Sequence, residues 1–364
     1  MNKCYLPKTS TIDELIRQHQ TEMTKINFFH NRINSQIDII LGETYILKNV
    51  IASFEDFSTA LSGLINPEIA FGEGQISDYD MSDKFDIYDK YFEVVRVSEM
   101  STGQFIQQYL DTSGELISEF QHTSMSRGEI AYMLKAWEAS NLILLENETI
   151  DPLEYISKST HAFAPESNEE RALYRWKLAH HGFALFLIFS GYCFKKAIEL
   201  IQNGDYSEKL ADWIDKGAHL FRATTACMEF GNSFTATIYR SVVRPDMSRA
   251  NEEANLPNGF SGTQNYEYVQ WRKLKIELLN LIKEKKSELP EHVMHAIELF
   301  RAYYLEDMHI HSIIAGRMVG IEKSLLQDGI NKKKDKPMKI TASDMLRMMA
   351  KAREKECEFI LSNN

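Results

Sequence analysis

The residues best placed to do chemistry lie near the end of one long apolar-periodic stretch, Pro290 to Gly320. There His311 shares a helical face with Met308, Ile314, Ala315 and Met318, through i±3, i+4 and i+7 spacing. A histidine on such a face is either a core imidazole bonded to a carbonyl or a metal ligand. As a ligand, a neutral imidazole in a greasy pocket suits the proximal position of a haem iron. A second imidazole, His180, has Trp176 four residues before it and Phe183 three after, on one helical face. That face is either buried aromatic core or a distal wall for a flat cofactor and a flat substrate; His181 points elsewhere and reads as structural. Arg244 stands immediately before Pro245, where helices stop. It is either a solvated surface charge or a planar fork for a carboxylate, with Arg240 one turn earlier as the competing candidate. Finally, Gly259 to Asn265 (GFSGTQN) reads as a loop. Gly262 would admit close backbone approach, and Ser261 and Thr263 could offer hydroxyls to a ligand.

The elements that must position these groups are mostly helices. Ser167-Asn-Glu-Glu170 is a capping box, and the helix it opens carries His180 and ends at Asn203-Gly204. Ser207 caps the next helix, to about Phe230. Pro290 suits the first position of the helix bearing His311. Upstream, Thr11 to about Lys25 and Asn27 to Ile65, broken near Gly42, read as helical. The texture then changes. Tyr91–Val97 alternates, and Phe105–Leu110 and Leu116–His122 flank the turn-like Asp111-Thr-Ser-Gly114, which together predict a small antiparallel meander. Gly128–Ser140 reads as a helix and Leu142–Leu145 as a strand. Pro152–Glu166, with two prolines and several Ser and Thr, reads as a linker. The expected architecture is mainly α: a smaller α+β module over residues 1–160, which packs against and covers the active site, followed by a helical domain over 165–364.

Composition sets bounds. The 364 residues carry a net charge of −11, which argues against a nucleic-acid binder. Cys4, Cys193, Cys227 and Cys357 are scattered without a C-x-x-C pair, as expected of a reducing cytoplasm. The longest apolar run, Phe183–Phe189, is too short to span a bilayer, and the start of the chain lacks an apolar signal region. A cytoplasmic homo-oligomer is expected.

Beyond these readings, the letters carry a likeness. His311, with Arg317 six on and Gly320 three after that, resembles the proximal-histidine helix of the tryptophan 2,3-dioxygenase superfamily, which includes the histidine-ligated haem-dependent aromatic oxygenases. The segment around His180 resembles that family's distal-histidine helix, with Trp176 and Phe183 in the flanking aromatic positions. Arg244 resembles its carboxylate-holding arginine, and Ser261 to Gln264 its substrate loop. The four stations occur in family order over most of residues 165–320. The resemblance implies haem b between the two histidine helices, with His311 as proximal iron ligand and His180 facing oxygen or peroxide. Trp176, Phe183, Arg244, Ser261, Gly262 and Thr263 would then be substrate-binding. The implied activity is oxygenation of a tryptophan- or tyrosine-like amino acid by O₂ or H₂O₂. The family's glycine- and serine-rich closing segment is absent; Ile321-Glu-Lys-Ser stands there instead. A divergent, more specialised member is therefore expected, with a lean towards transfer of one oxygen atom. True tryptophan dioxygenation, a non-catalytic haem sensor and a non-haem site at His309 and His311 are the alternatives.

Overall fold

The structure is a computed structural model that describes residues 3–7, 20–41, 83–98, 100–145, 165–253, 264–319 and 342–361. Its order is β1 (Cys4–Pro7), α1 (Gln20–Leu41), α2 (Asp83–Phe92), β2 (Val94–Val97), α3 (Thr102–Glu119), α4 (Arg127–Leu145), α5 (Asn168–Gln202) and α6 (Glu208–Gly231). A short α7 (Ala236–Ile238) then runs through a π-helical turn, Tyr239–Val243, into α8 (Arg244–Glu253), followed by α9 (Tyr266–Lys285), α10 (Glu291–Val319) and α11 (Ala342–Leu361). The chain is mainly α, as its periodicity predicts. Among the described residues no helix is long and apolar enough to cross a membrane.

The ends of the His180 helix follow the local signals closely. The Ser167 hydroxyl accepts from Glu170 N–H, and the Glu170 carboxylate reaches back to Glu166 N–H at 2.8 Å, one residue earlier than a strict capping box. At the other end Gly204 takes φ 70°. Its N–H donates to Ile201 O while Asp205 N–H donates to Leu200 O, closing a Schellman motif that only glycine adopts without strain.

The expected meander is not there. Phe105–Leu110 and Leu116–His122 belong to α3 and the 3₁₀ turn that follows it, and Asp111-Thr-Ser-Gly114 lies inside that helix. Phe105, Ile106, Tyr109, Leu110, Leu116 and Ile117 are all buried, a helical stripe that tertiary packing favours over strand propensity. Ser101-Thr-Gly-Gln104 closes a full capping box, which is the local signal for this helix. Leu142–Leu145 likewise ends α4 rather than forming a strand. Of the expected strands, Val94–Val97 forms, but it pairs parallel with Cys4–Pro7. The first expected helix lies partly, and the linker almost wholly, outside the described residues.

The main core is continuous from Cys4 and Leu6 through α3–α6 and α9–α11 to Ile360. At its centre Trp271 of α9 lies flat on Phe221 of α6, ring centroids 4.5 Å apart, and Phe300 of α10 closes on both. The Trp271 indole donates to Ser190 Oγ, which donates onward to Gly217 O, so both polar groups are satisfied in the dry interior. Helices α5 and α6 come together over small residues: a Cβ at Gly217 would lie 2.6 Å from the Phe194 ring, and one at Gly231 2.7 Å from Ala179. Arg222 of α6, with a fully buried side chain, forks onto Glu129 of α4 and Glu306 of α10 and stacks over Tyr132 at 3.9 Å.

Because Phe194 is locked among Trp271 and Phe300, the Gly217 contact has no room to relax. Gly217→Ala should cost about 1–3 kcal/mol of stability, read as a lower denaturant midpoint. An unchanged midpoint would show that α5 and α6 can part without penalty.

Candidate functional site

The His180 wall of the site is built by two helices. His180 Nδ1 donates to Trp176 O at 2.7 Å, which folds the ring back along its own helix. Trp176 meets it edge-on at 4.7 Å, and Phe92, the last residue of α2, stacks on it at 3.8 Å with planes 20° apart. Tyr88 adds an edge at 6.1 Å. Burial pushes the His180 pKa down to about 4, the Trp176 carbonyl opposing and His181 adding to the fall. The ring is therefore neutral with its proton on Nδ1, and Nε2 is a bare acceptor. No described residue hydrogen-bonds that nitrogen. His181, one position on, is buried and structural: its Nε2 donates to Phe92 O at 2.6 Å. Phe183 is half-buried, its ring 6.3 Å from Tyr268 of α9.

On α10, His311 is exposed to solvent, yet enough protein surrounds it that desolvation lowers its pKa against the pull of Asp307. Among the described residues no hydrogen bond occupies either of its nitrogens. Asp307, one turn earlier, is buried and committed elsewhere: it accepts from Thr225 Oγ1 at 2.8 Å and from Arg353 of α11 at 2.6 Å. Met308, Ile314 and Met318 of the expected face are buried. Arg317 pairs with Glu229 of α6 at 3.1 Å, while Gly320 lies outside the described residues.

The end of a helix expected at Pro245 is corrected: α8 runs through it to Glu253. The π-helical turn makes this possible. Arg244 N–H donates to Tyr239 O, five residues back, so the widened turn spares the clash a proline ring makes with an α-helical carbonyl. Arg244 is partly buried beside Tyr239, whose hydroxyl is pushed up to about 12 by burial, with the Arg244 charge opposing. Arg240 is exposed and its Nε donates to Ala236 O. Of the two arginines, Arg244 is the one next to the apolar interior. Ser261, Gly262 and Thr263 lie outside the described residues, but the segment after them is well placed: Asn265 is buried and caps α9 through Tyr268 N–H.

One apolar cluster joins these parts. It holds Ala172 and Trp176 of α5, Tyr239 and Val243 of the π turn, and Ile314 and Met318 of α10. The helices that carry His180 and His311 and the π turn that leads into Arg244 thus pack on one another, far apart as they are in sequence. The residues missed by sequence reasoning are Tyr88 and Phe92. Their spacing on α2 was visible, but Tyr91–Val97 reads as a strand and hides it.

A family model for the SfmD 3-methyl-L-tyrosine peroxygenase matches residues 59–293, more than half of the chain. The matched segment includes His180 and Arg244 and stops short of His311. A crystal structure of reduced SfmD, soaked with sodium hydrosulfite, superposes with a TM-score of 0.51 at 12% identity, covering 85% of this chain and 96% of that one. No curated protein matches the sequence.

Both His180 and His181 have native pKa values of about 4 against 6.5 when exposed. Between these values the unfolded chain binds protons that the native chain does not, so stability should fall as pH drops from 6.5 towards 4. Gln at position 181 keeps a donor for Phe92 O and does not titrate. His181→Gln should therefore flatten the loss of thermal midpoint across that window, and an unaltered slope would refute the assignment.

Proposed function

The chain belongs to the SfmD 3-methyl-L-tyrosine peroxygenase family, and from that premise we propose that it transfers one oxygen atom from H₂O₂ to the ring of a tyrosine-like amino acid. The chain is an oxidoreductase and its cofactor is haem. The balance is an aromatic C–H plus H₂O₂ giving a phenolic C–OH plus water. The family's name speaks for a tyrosine-like ring over tryptophan, and for peroxide over dioxygen. The likeness to the tryptophan 2,3-dioxygenase superfamily supports a histidine-ligated haem.

The observation that carries this reading is the apolar cluster that brings the His180 helix, the Arg244 turn and the His311 helix together. The residues fit a haem. His311 offers ring nitrogens that no described residue hydrogen-bonds, and Ile314 and Met318 flank it on α10. Haem, when bound, supplies the means of accepting and delivering the oxidising power of peroxide.

The chain's own residues supply the rest. His311 holds the iron, and Asp307, neutralised by Arg353 and Thr225, leaves it an imidazole rather than an imidazolate. His180 Nε2 accepts a proton from H₂O₂ and can return it to the departing oxygen as water. Nδ1, fixed on Trp176 O, stops the ring from turning. Trp176 and Phe183 give flat apolar walls, and Arg244 grips the substrate carboxylate with its fork.

His311→Ala should lose haem or keep it with a displaced Soret band, while His309→Ala should do neither. With H₂¹⁸O₂, the wild type should place a single ¹⁸O in the ring of a tyrosine analogue. Product carrying no label from peroxide would sink the peroxygenase reading.

Arg244→Ala should raise the apparent constant for the amino acid by roughly 30- to 1,000-fold, as expected for about 2–4 kcal/mol of a lost charge-assisted fork. The haem spectrum should not change. Equal binding of the carboxylated and decarboxylated substrates by wild type would refute this role.

A further inference from the structure

Helix α2 presents Phe85, Tyr88, Asp89 and Phe92 at i, i+3, i+4 and i+7, a single stripe. Each member of the stripe touches something next to the active site. Phe85 meets Tyr266 of α9 edge-on at 5.7 Å. The Tyr88 hydroxyl accepts from the Asn265 carboxamide, and its ring borders His180. Phe92 stacks on His180. Asp89 binds the guanidinium of Arg96 through both oxygens, at 2.8 and 2.9 Å. The other edge of that guanidinium binds both oxygens of Glu267, in the first turn of α9. The Arg96 side chain is wholly buried and both carboxylates are nearly so. The guanidinium also lies over the Tyr266 ring.

One buried cation thus joins two carboxylates that are 178 residues apart. Behind one carboxylate stands the wall that fixes His180. Behind the other stand Asn265 and Tyr268, the latter facing Phe183. Only a planar fork with donors on two edges spans both; a lysine ammonium, a point donor, does not.

We propose that Arg96 is a positioning residue of the active site, its guanidinium setting the separation between the α2 wall behind His180 and the first turn of α9. This rests on the reading of the site given above. On that reading the aromatic substrate would lie beside this junction, against Trp176 and Phe183, and not between the two touching elements. Substrate affinity then depends on the Glu267 side of the clamp, and proton handling at His180 on the Asp89 side.

The test uses the haem-loaded full chain with Glu267→Gln, Asp89→Asn and Arg96→Lys, the carboxamides keeping shape should the lysine variant fail to fold. Steady-state kinetics are paired with hydrogen exchange of residues 83–92, 264–272 and, as a distant reference, 208–231. Glu267→Gln should raise KM for the amino acid by about tenfold or more with kcat within about twofold, and Asp89→Asn the converse. Exchange should quicken in 264–272 for the first and in 83–92 for the second, with 208–231 unmoved. Wild-type KM and kcat per folded molecule, or exchange raised throughout, would reduce the clamp to general stability and overturn the proposal. If the wild type turns over no aromatic amino acid, the reading of the site fails instead, and the exchange pattern alone decides the clamp.

Discussion

Two adjacent imidazoles on a buried helix each need a partner, and much of the molecule is arranged to give them one. A ring N–H left unpaired in that interior would cost the desolvation of a donor with nothing in return. His180 takes the carbonyl one turn back on its own helix, and His181 takes Phe92 O. The second carbonyl is available only because α2 stops there, leaving its last carbonyls without helical partners. Glu93 makes the stop, at φ 58°, a left-handed conformation seldom held by a side chain larger than asparagine. Its own carbonyl accepts from Cys4 N–H at the start of β1, and its carboxylate pairs with Lys177 of α5 at 2.7 Å. The strained residue is thus held at both its backbone and its side chain, as such conformations require.

Buried guanidinium groups do the long-range joining. Arg222 ties α4, α6 and α10; Arg96 ties α2 to α9; Arg353 ties α11 to α10 through Asp307 and Tyr304 O. Burying such charges yields little net stability against well-packed apolar residues, because desolvation offsets the Coulomb attraction. What they supply is geometry, since each fork accepts its partners from fixed directions. Two of the three stand near the candidate histidines: Arg96 holds Asp89 on the helix whose Phe92 stacks on His180, and Arg353 holds Asp307 one turn before His311. The N-terminal residues are accordingly not a separate layer: α2 packs directly on His180 through Phe92 and Tyr88.

The membership of a peroxygenase family and the geometry speak to different parts of the chain. The family match ends in the first turn of α10, well before His311, so the assignment of His311 rests on its face and surroundings rather than on the match. His180 lies inside the match, and the proton transfer proposed for it would need the neutral, Nδ1-protonated ring that its contact with Trp176 O fixes. A histidine charged at neutral pH could not accept a proton.

How much of this was legible in the letters follows the range of the interactions. The ends of α5 were, because Ser167, Glu170 and Gly204 act within a few residues of one another. So were the mainly helical class and the apolar face of His311, which are matters of periodicity. The α3 segment reads as strands although its capping box is present, since Asp111-Thr-Ser-Gly114 between two short apolar runs looks like a turn until burial chooses the helix. Pro245 predicts a stop only for an α-helix, and nothing local announces the π-helical turn that carries the chain through it. The stacking of Phe92 on His180 and the sharing of Arg96 between Asp89 and Glu267 were beyond the sequence altogether. Those partners are separated by 88, 7 and 171 residues, and only folding decides which distant side chains share a dry interior.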